Sequence, residues 1–401
     1  MPTSDLVLPP LAPRVPGRVR ERRRGRREGA RGPQDWALPY WDYSADDPAR
    51  LMPPEFCTEK IGGADNPLWV QWGRTADGDM AFNDQDVSLA CLDSEFFAGT
   101  SSGGENGFAG PVSAFMHFGG LVGLPNGKIE EGPHNAIHSQ IGGLMGDPRY
   151  AALDPIFWLH HSNIDRLWER WRTMHPDLAD PGDVRWRSTV GFDLHGADGE
   201  VWRFKPEDLL ETALILHGYT YDDMAVSGTV TLGGLDVPEI APEDATFAGA
   251  SGAVDIVDGV GGGRLRVGTD DVSLSIIDAP PRVYLNLENI VGAGEDANFQ
   301  IFARDVSGTG EETMVGQVSM FGLEAASDRK SVHGGAGLNK VIEITPFAQR
   351  LNLTSAGETE LDVSFRRRER LTEKPEFMKR GGKAKVSIGR ISVFYAPGKP
   401  A

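Results

Sequence analysis

Four of the nine histidines in this chain fall within two short windows. No other feature of the sequence restricts the possible folds as strongly as this clustering. The first window, GPHNAIHSQIGG, carries His134 and His138. Their spacing of four places both imidazoles on one face of a helix, and the glycine pair at Gly142 predicts the end of that helix. Such a pair is weak evidence for a metal site, because most histidines at this spacing are ordinary surface or core residues.

The second window, DPIFWLHHSNIDRLWERW, predicts another helix and carries His160 and His161. Asp154 suits its N-cap and Pro155 its first turn. An apolar stripe follows at Phe157, Ile164, Trp168 and Trp171. Both histidines border this stripe, where an imidazole needs a partner to be buried. Periodicity leaves open which of them is a ligand, and we expect the other to be a hydrogen-bonded core residue.

Three neutral imidazoles from two facing helices form an all-nitrogen site, which favours copper or zinc. The window contains no thiolate, which argues against a blue-copper electron-transfer site. It also lacks the HExxH pattern of metalloproteases. The residues alone therefore predict a copper or zinc centre without choosing between the two.

The net charge of −18 over 401 residues argues against nucleic acid or an anionic membrane as the main partner. Two cysteines, Cys57 and Cys91, exclude a disulfide scaffold and a cysteine-based zinc site but allow one disulfide. No run of about 20 apolar residues predicts a membrane span, and the N-terminus lacks the apolar core of a secretory signal. We expect a cytoplasmic protein, with its oligomeric state left open.

Composition divides the chain into four predicted segments. Residues 1–33 are rich in arginine and predict a disordered tail, with a basic nucleic-acid-binding arm as the alternative. Residues 34–224 hold the histidine windows, 225–280 form a Gly- and Asp-rich linker that could carry its own hairpins, and 281–398 form an antiparallel β-sandwich. The predicted strands are Arg282–Val291, Ala297–Ala303, Gly316–Phe321, Lys340–Ile344, Glu360–Phe365 and Lys385–Tyr395.

The run GKIEEGPHNAIHSQIGG, followed by MGDPRYAALDPIFWLHHSNIDRLWERW, closely resembles the second copper site (CuB) of the tyrosinase, catechol oxidase and polyphenol oxidase family. These are type 3 copper proteins. DWALPYWDY and DLLETALILHGYTYDD resemble the segments that follow the first copper site and close the catalytic domain. RVYLNLENIVG and VSIGRISVFY resemble the β-rich C-terminal domain found in many polyphenol oxidases. The resemblance implies a mainly α copper-binding domain, as an incomplete four-helix bundle, followed by an antiparallel β-sandwich domain.

The resemblance also implies a ligand set. His134, His138 and His161 match the CuB ligands, and His160 then supports them from behind. The implied cofactor is copper, two ions in the family, with one site evident here. The implied substrates are dioxygen and small phenols.

Three further residues take roles from the same resemblance. Glu130 and Asn135 match positions that orient a water near the copper and help to deprotonate a phenol. The alternative is a solvent-facing glutamate beside a helix N-terminus and an asparagine in the first turn. Asp165 matches a structural hydrogen-bond partner.

The sequence departs from the family pattern before His117, because no histidine precedes it. The family uses six histidines for two coppers, so the first site (CuA) is missing from the pattern. His117 resembles a loop histidine of the family and not a substitute ligand. Our hypothesis is that the arginine-rich segment is a truncated or shifted reading of a copper-site helix.

Three functions follow from these observations. The first is oxidation of ortho-diphenols, and of monophenols as an extension, to ortho-quinones by dioxygen. The alternative is an inactive remnant that holds a single copper or zinc, and an oxygen carrier is disfavoured by the C-terminal domain. The resemblance further implies that this domain shields the copper site and that substrate passes the loop Asp147–Tyr150.

Overall fold

A computed structural model describes most of the chain. The described residues are 19–21, 38–45, 48–70, 82–99, 103–110, 125–176, 178, 184–188, 191–195, 199–210, 219–224, 245–268, 280–293, 297–306, 310–330, 335–353, 357–369 and 385–398. Of the predicted N-terminal tail, only Val19–Glu21 lies among them, as a short strand paired with Tyr219–Tyr221. His117 lies outside the described residues.

Helices and strands follow one another as short elements. The helices are α1 (Ala136–Ile141), α2 (Ile156–Met174), α3 (Val184–Ser188), α4 (Pro206–Leu209), α5 (Leu323–Ser327) and α6 (Thr345–Arg350). The strands are β1 (Val19–Glu21), β2 (Lys60–Ile61), β3 (Ala64–Asp65), β4 (Phe192–His195), β5 (Val201–Phe204), β6 (Tyr219–Tyr221), β7 (Thr246–Ala250), β8 (Val254–Val257), β9 (Val260–Gly268), β10 (Arg282–Ala293), β11 (Asn298–Asp305), β12 (Thr313–Ser319), β13 (Leu338–Glu343), β14 (Glu358–Arg367) and β15 (Lys385–Ala396).

One antiparallel sheet of nine strands forms the C-terminal half. Its order is β12-β11-β14-β9-β8-β15-β10-β13, and β7 also pairs with β15. The two outer strands approach each other, since a Cβ built on Gly316 of β12 would lie 2.6 Å from Ile342 of β13. The sheet thus nearly closes into a barrel around one apolar core, which includes Phe299, Ile301 and Phe365.

The prediction of a mainly α fold followed by a sandwich is wrong. The described residues hold six α-helices, and only α2 is longer than six residues. A single nine-stranded sheet takes the place of two facing sheets. The aromatic residues around the histidine windows pack in loops and short helical turns, because proline and glycine interrupt most helical stretches. Their apolar character was therefore a poor guide to helix content.

The segment predicted as a linker supplies three strands of this sheet. β7, β8 and β9 lie between residues 246 and 268. Glycine has a low preference for strands, so the sequence pattern indicated a linker with room for hairpins and not three strands of the main sheet. The structure gives the reason for these glycines: a Cβ on Gly263 would lie 2.4 Å from the Val254 side chain, and one on Gly262 would lie 2.8 Å from the Val363 carbonyl oxygen.

The part of the molecule before β7 is the helical half, and it is built around α2. Its Trp171 is fully buried and stacks on Phe108, with ring centroids 4.4 Å apart. Arg166 is also buried and binds Asp223 at 2.6 Å and Asp42 at 3.2 Å. These acids belong to the two flanking motifs noted in the sequence. One arginine of α2 therefore joins both motifs to the helix that carries the histidine pair.

The structure also bears on the predictions about the cysteines and about membrane spans. Cys57 and Cys91 are not joined in the disulfide that the sequence allowed. Among the described residues, we find no helix with both the length and the apolar character needed to cross a bilayer.

Candidate metal centre

The first histidine window folds as the spacing predicts, with one local irregularity. A π-helical segment, Glu130–Asn135, carries His134 and runs directly into α1, which carries His138. The helix ends at Gly142, whose φ of 68° and ψ of −148° suit only glycine. The ring centroids of the two histidines lie 4.7 Å apart. Both imidazoles therefore face the same side.

The β half of the molecule, from β7 to β15, holds this helix in place. Ser319, at the end of β12, donates a hydrogen bond to the carbonyl oxygen of Asn135 (2.9 Å), and its Oγ lies 2.7 Å from Ser139 Oγ. Asn298 Nδ2 donates to the carbonyl oxygen of Ala136 at 3.0 Å. All of these groups are buried, so water does not compete with them. The helix position is thus set by strands that lie more than 160 residues away in sequence.

The second window begins one residue later than predicted. Helix α2 starts at Ile156, whose N–H donates to Asp154 Oδ1 at 3.2 Å, with Pro155 as the N-cap. Its most deeply buried face does not follow the predicted stripe throughout. His160 and Asn163 are fully buried, whereas His161 and Phe157 are only partly buried.

The four imidazoles of the two windows converge. One ring nitrogen from each of His134, His138, His160 and His161 lies within 4.8 Å of the others. The closest approach given by the contacts is 3.3 Å, between His138 Nε2 and His161 Nε2. Among the described residues, no other histidine, cysteine or acid cluster of this kind is found.

Hydrogen bonds on the far side of two rings orient them. His138 Nδ1 lies 2.7 Å from the Met145 carbonyl oxygen, and a carbonyl only accepts, so Nδ1 donates. His134 Nδ1 likewise donates to Asn135 Oδ1 at 2.8 Å. In both neutral rings the lone pair is then on Nε2, the nitrogen available for a metal.

Burial keeps the group uncharged. Desolvation lowers the pKa of His134 to about 4 and that of His161 to about 3. Desolvation, helped by the neighbouring imidazoles, also holds the pKa of His138 and His160 well below 6.5. Near neutral pH all four rings are therefore neutral and able to donate lone pairs, as metal binding requires.

Two aromatic rings cover the group. Phe157, from α2, stacks on His161 with centroids 3.9 Å apart. Phe321 lies two residues beyond the end of β12. Its ring stacks on His138 with centroids 4.2 Å apart and meets the His134 ring edge-on at 6.0 Å. The β half therefore places a side chain directly on the imidazoles.

The other predicted site residues have different surroundings. Glu130 Oε2 accepts a hydrogen bond from the Gly127 N–H at 3.1 Å, and desolvation raises its pKa. Glu130 is not part of the histidine group. Asn135 contacts His134 directly, as given above. Asp165 accepts hydrogen bonds from the hydroxyl groups of Tyr219 and Tyr221, so it ties β6 to α2.

Sequence reasoning missed two residues that contact the histidines. Tyr43 is fully buried, and its hydroxyl lies 3.1 Å from His160 Nδ1. Its place in the DWALPYWDY motif was the available signal. Phe321 had no such signal, because it lies 160 residues beyond His161 in a different half of the molecule.

The residues present fit a copper ion. The donors are all neutral imidazole nitrogens, a set that suits copper well. Two nitrogens bound at about 2.0–2.1 Å to one tetrahedral ion lie about 3.3–3.4 Å apart, and the His138–His161 separation of 3.3 Å matches this. The donor set therefore suits copper, and one separation has the size that binding to a single ion requires.

Family comparison separates the two halves. The common central domain of tyrosinase matches residues 21–174, which include both histidine windows. A domain of unknown function (DUF7868) matches residues 266–396, within the β half.

Individual proteins extend the match. Tyrosinase HcTyr1 from Hahella sp. (strain CCB-MM4) is 32% identical over 351 residues, which are 80% of this chain and 69% of that protein. The latent form of a chloroplastic polyphenol oxidase from Prunus armeniaca is 30% identical over 210 residues, covering 48% of this chain and 34% of that protein. A recombinant latent aurone synthase (polyphenol oxidase) shares the fold, with a TM-score of 0.51 at 18% identity, over 90% of this chain and 71% of that structure.

The match to HcTyr1 extends through most of both chains, and the tyrosinase central domain covers all four clustered histidines. The chain therefore belongs to the tyrosinase family of copper oxidoreductases.

Proposed function

We propose that this protein oxidises ortho-diphenols to ortho-quinones with dioxygen, at copper held by His134, His138 and His161. The observation that carries the proposal is the convergence of neutral imidazoles from the two windows, with two Nε2 atoms 3.3 Å apart. Copper supplies the electron transfer between phenol and dioxygen. Each diphenol loses two electrons and two protons, so two diphenols reduce one dioxygen to two waters.

The chain's own residues position and protect this chemistry. Asn135 fixes the His134 ring through its Nδ1–H. Glu130 is the candidate base for the phenol proton, acting through a water, because its raised pKa brings it nearer to neutral pH. Phe157 and Phe321 keep bulk water away from the imidazoles.

We also propose that the β half shields the site. Phe321 occupies the space over His138 that a phenol ring would need to approach. Arg149 of the proposed access loop, Asp147–Tyr150, binds Asp147 at 2.5 Å and Glu324 of α5 at 3.1 Å. This ion pair joins the loop to the element that follows Phe321. Access to copper then requires Phe321 to move.

A second candidate function is a metal-binding protein without turnover. It is favoured by one observation: the described residues contain a single histidine cluster, whereas the family's chemistry uses a copper pair. In this case His134, His138 and His161 hold one copper or zinc ion.

Copper stoichiometry and oxygen uptake separate the two candidates. The full chain is loaded with copper, its metal content is measured, and oxygen consumption is followed with a simple catechol. Two coppers per chain, with oxygen uptake and a near-ultraviolet charge-transfer band, support the oxidase. One metal per chain without oxygen uptake supports the second candidate. The His161→Ala variant serves as the site control and is expected to bind no metal at this centre.

A further inference from the structure

A cavity of about 170 Å³ lies where the helical half meets the β half. Gln85, Ser88 and Ala136 line it from the helical half, and Val318 and Ser319 of β12 line it from the β half. Gln85 is exposed and marks the mouth of the cavity, whereas Ala136, Val318 and Ser319 are buried and form its floor. A molecule bound in this cavity therefore contacts both halves of the protein.

The volume of the cavity limits the size of a ligand. An engineered apolar cavity of about 150 Å³ in another protein binds one benzene molecule. Drug-sized molecules occupy pockets of about 300–1,000 Å³. The cavity between the halves therefore suits a single six-membered ring with small substituents.

The lining combines hydrogen-bonding groups with apolar surface. The Ser88 hydroxyl accepts a hydrogen bond from the Ala90 N–H at 3.3 Å and keeps its own proton to donate. The side-chain amide of Gln85 offers both donors and an acceptor. Ala136 and Val318 supply apolar surface at the floor. This combination suits a ring that carries hydroxyl groups along one edge.

The charges beside the cavity are already paired. Glu131, which also lines it, binds Lys340 at 2.8 Å. Gln317, another lining residue, donates a hydrogen bond to Asp86 at 2.8 Å, and Asp86 pairs with Arg368. Each of these acids is neutralised by its own cation, so neither attracts an ionic ligand. The cavity therefore favours a neutral molecule.

We infer that this cavity binds a small neutral phenol, and that the bound phenol holds the two halves together. A ligand that contacts both halves binds the joined state more tightly than the separated state, so it shifts the equilibrium toward the joined state. Ser319 at the floor precedes Phe321, which covers His138, by two residues. Phenol in the cavity thus keeps Phe321 in place. A phenolic substrate at high concentration then inhibits its own oxidation, a consequence that rests on the proposed function.

Binding of resorcinol to the metal-free full chain tests the site. Resorcinol is a single ring with two hydroxyl groups, and calorimetric titration should show that it binds. Ser88→Leu partly fills the cavity and should weaken binding by about 5- to 150-fold, the range that overfilling a packed site costs. Ser364→Leu is the matched control: Ser364 is also partly buried but lies on β14 beside Glu312, so its replacement should leave resorcinol affinity unchanged.

Hydrogen exchange measures the effect on the contact between the halves. The Phe321 N–H donates to Ser319 Oγ at 3.1 Å, so its exchange with solvent reports on the segment that covers the centre. Resorcinol at 100 times its Kd should slow this exchange by up to about 100-fold when exchange requires the halves to separate. The same concentration should slow it much less in Ser88→Leu.

The outcomes that would overturn the inference are distinct. Failure of resorcinol to bind, or equal affinities for the parent protein and Ser88→Leu, would overturn the site. Binding without a change in the exchange of the Phe321 N–H would overturn the effect on the halves. If Ser88→Leu fails to fold, Gln85→Ala replaces it, because Gln85 is exposed and its loss should weaken binding by about 2- to 13-fold. The assay contains no metal, so a failure of the proposed oxidation is seen in the oxygen-uptake experiment and not in this one.

Discussion

At the residue scale, the orientation of the imidazoles depends on the groups that accept hydrogen bonds from their Nδ1 atoms. His134 and His138 each donate Nδ1–H to an oxygen, and this leaves Nε2 free to bind a metal. One acceptor, Asn135, is the residue next to His134, whereas the other is the backbone carbonyl of Met145. Only the first can be removed by substitution without altering the main chain.

Asn135→Ala should weaken metal binding by about 10- to 100-fold, because His134 loses the acceptor that fixes its tautomer and orientation. Competition with a chromophoric chelator measures this loss. Asn135→Asp keeps an acceptor oxygen and should bind metal more tightly than the alanine variant. Equal affinities for the parent protein and Asn135→Ala would contradict the assigned role.

At the scale of elements, two short connections shape the centre. The first is the end of α1 at Gly142, where the chain turns back so that the Met145 carbonyl reaches His138. The second is the turn after β12, which places Phe321 on the same imidazole. Both connections act on His138.

Gly142→Ala should lower the free energy of unfolding by about 1–3 kcal/mol, because a Cβ is strongly disfavoured at φ 68° and ψ −148°. Urea denaturation measures the change. Gly252 is the matched control: a Cβ there meets no atom within 4 Å, so Gly252→Ala should be neutral or slightly stabilising. Similar losses in both variants would rule out the backbone explanation.

Phe321→Ala should speed the removal of bound copper by a chelator. The ring stack on His138 is worth about 0.5–1.5 kcal/mol, which corresponds to a rate increase of about 2- to 13-fold. Phe247→Ala is the control, since Phe247 is half exposed on β7 and paired with Phe394. If both variants release copper at the parent rate, Phe321 does not shield the centre.

At the scale of the whole molecule, buried ion pairs join the helical half to the sheet. Lys340 of β13 is fully buried and binds Glu131 at 2.8 Å. Arg368, just after β14, binds the buried Asp86 at 2.5 Å.

A third link is made by Glu105, which binds the Arg282 guanidinium at 2.8 Å and also pairs with the ammonium group of Lys128. Separation of the halves would leave these charges unpaired, so we expect the two halves to unfold together.

The pH dependence of stability tests the ion pairs that Glu105 makes. Burial alone would raise the pKa of Glu105, but Lys128 and Arg282 outweigh it and hold that pKa below 4.5. Since the folded pKa is lower than the unfolded one, the ionised form stabilises the fold. This stabilisation is complete above about pH 4.5 and is lost as the pH falls through the folded value.

Glu105→Gln should therefore lower the free energy of unfolding by roughly 1.5–3 kcal/mol at pH 7 and by less below the folded pKa. Denaturant titrations across this pH range measure the difference. Glu312 pairs with Arg366 on the surface, and Glu312→Gln should cost only about 0–1 kcal/mol. A loss for Glu105→Gln that does not depend on pH would contradict the argument.

The sequence by itself predicted the two histidine windows and their local frame. Helical spacing puts His134 and His138 on one face, glycine ends α1, and Asp154 marks the start of α2 within one residue. These features depend on residues a few positions apart, so local rules suffice. The six predicted strands rested on the same kind of local alternation, and each overlaps a strand of the sheet.

Only the tertiary structure decided what surrounds the histidines. Tyr43 reaches His160 across 117 residues, and Ser319 reaches Ser139 across 180. The glycine-rich strands β7–β9 joined the sheet for a similar reason, because their close packing depends on partners far along the chain. Contacts of this range arise from how the halves pack together, and neither periodicity nor spacing within a window encodes them.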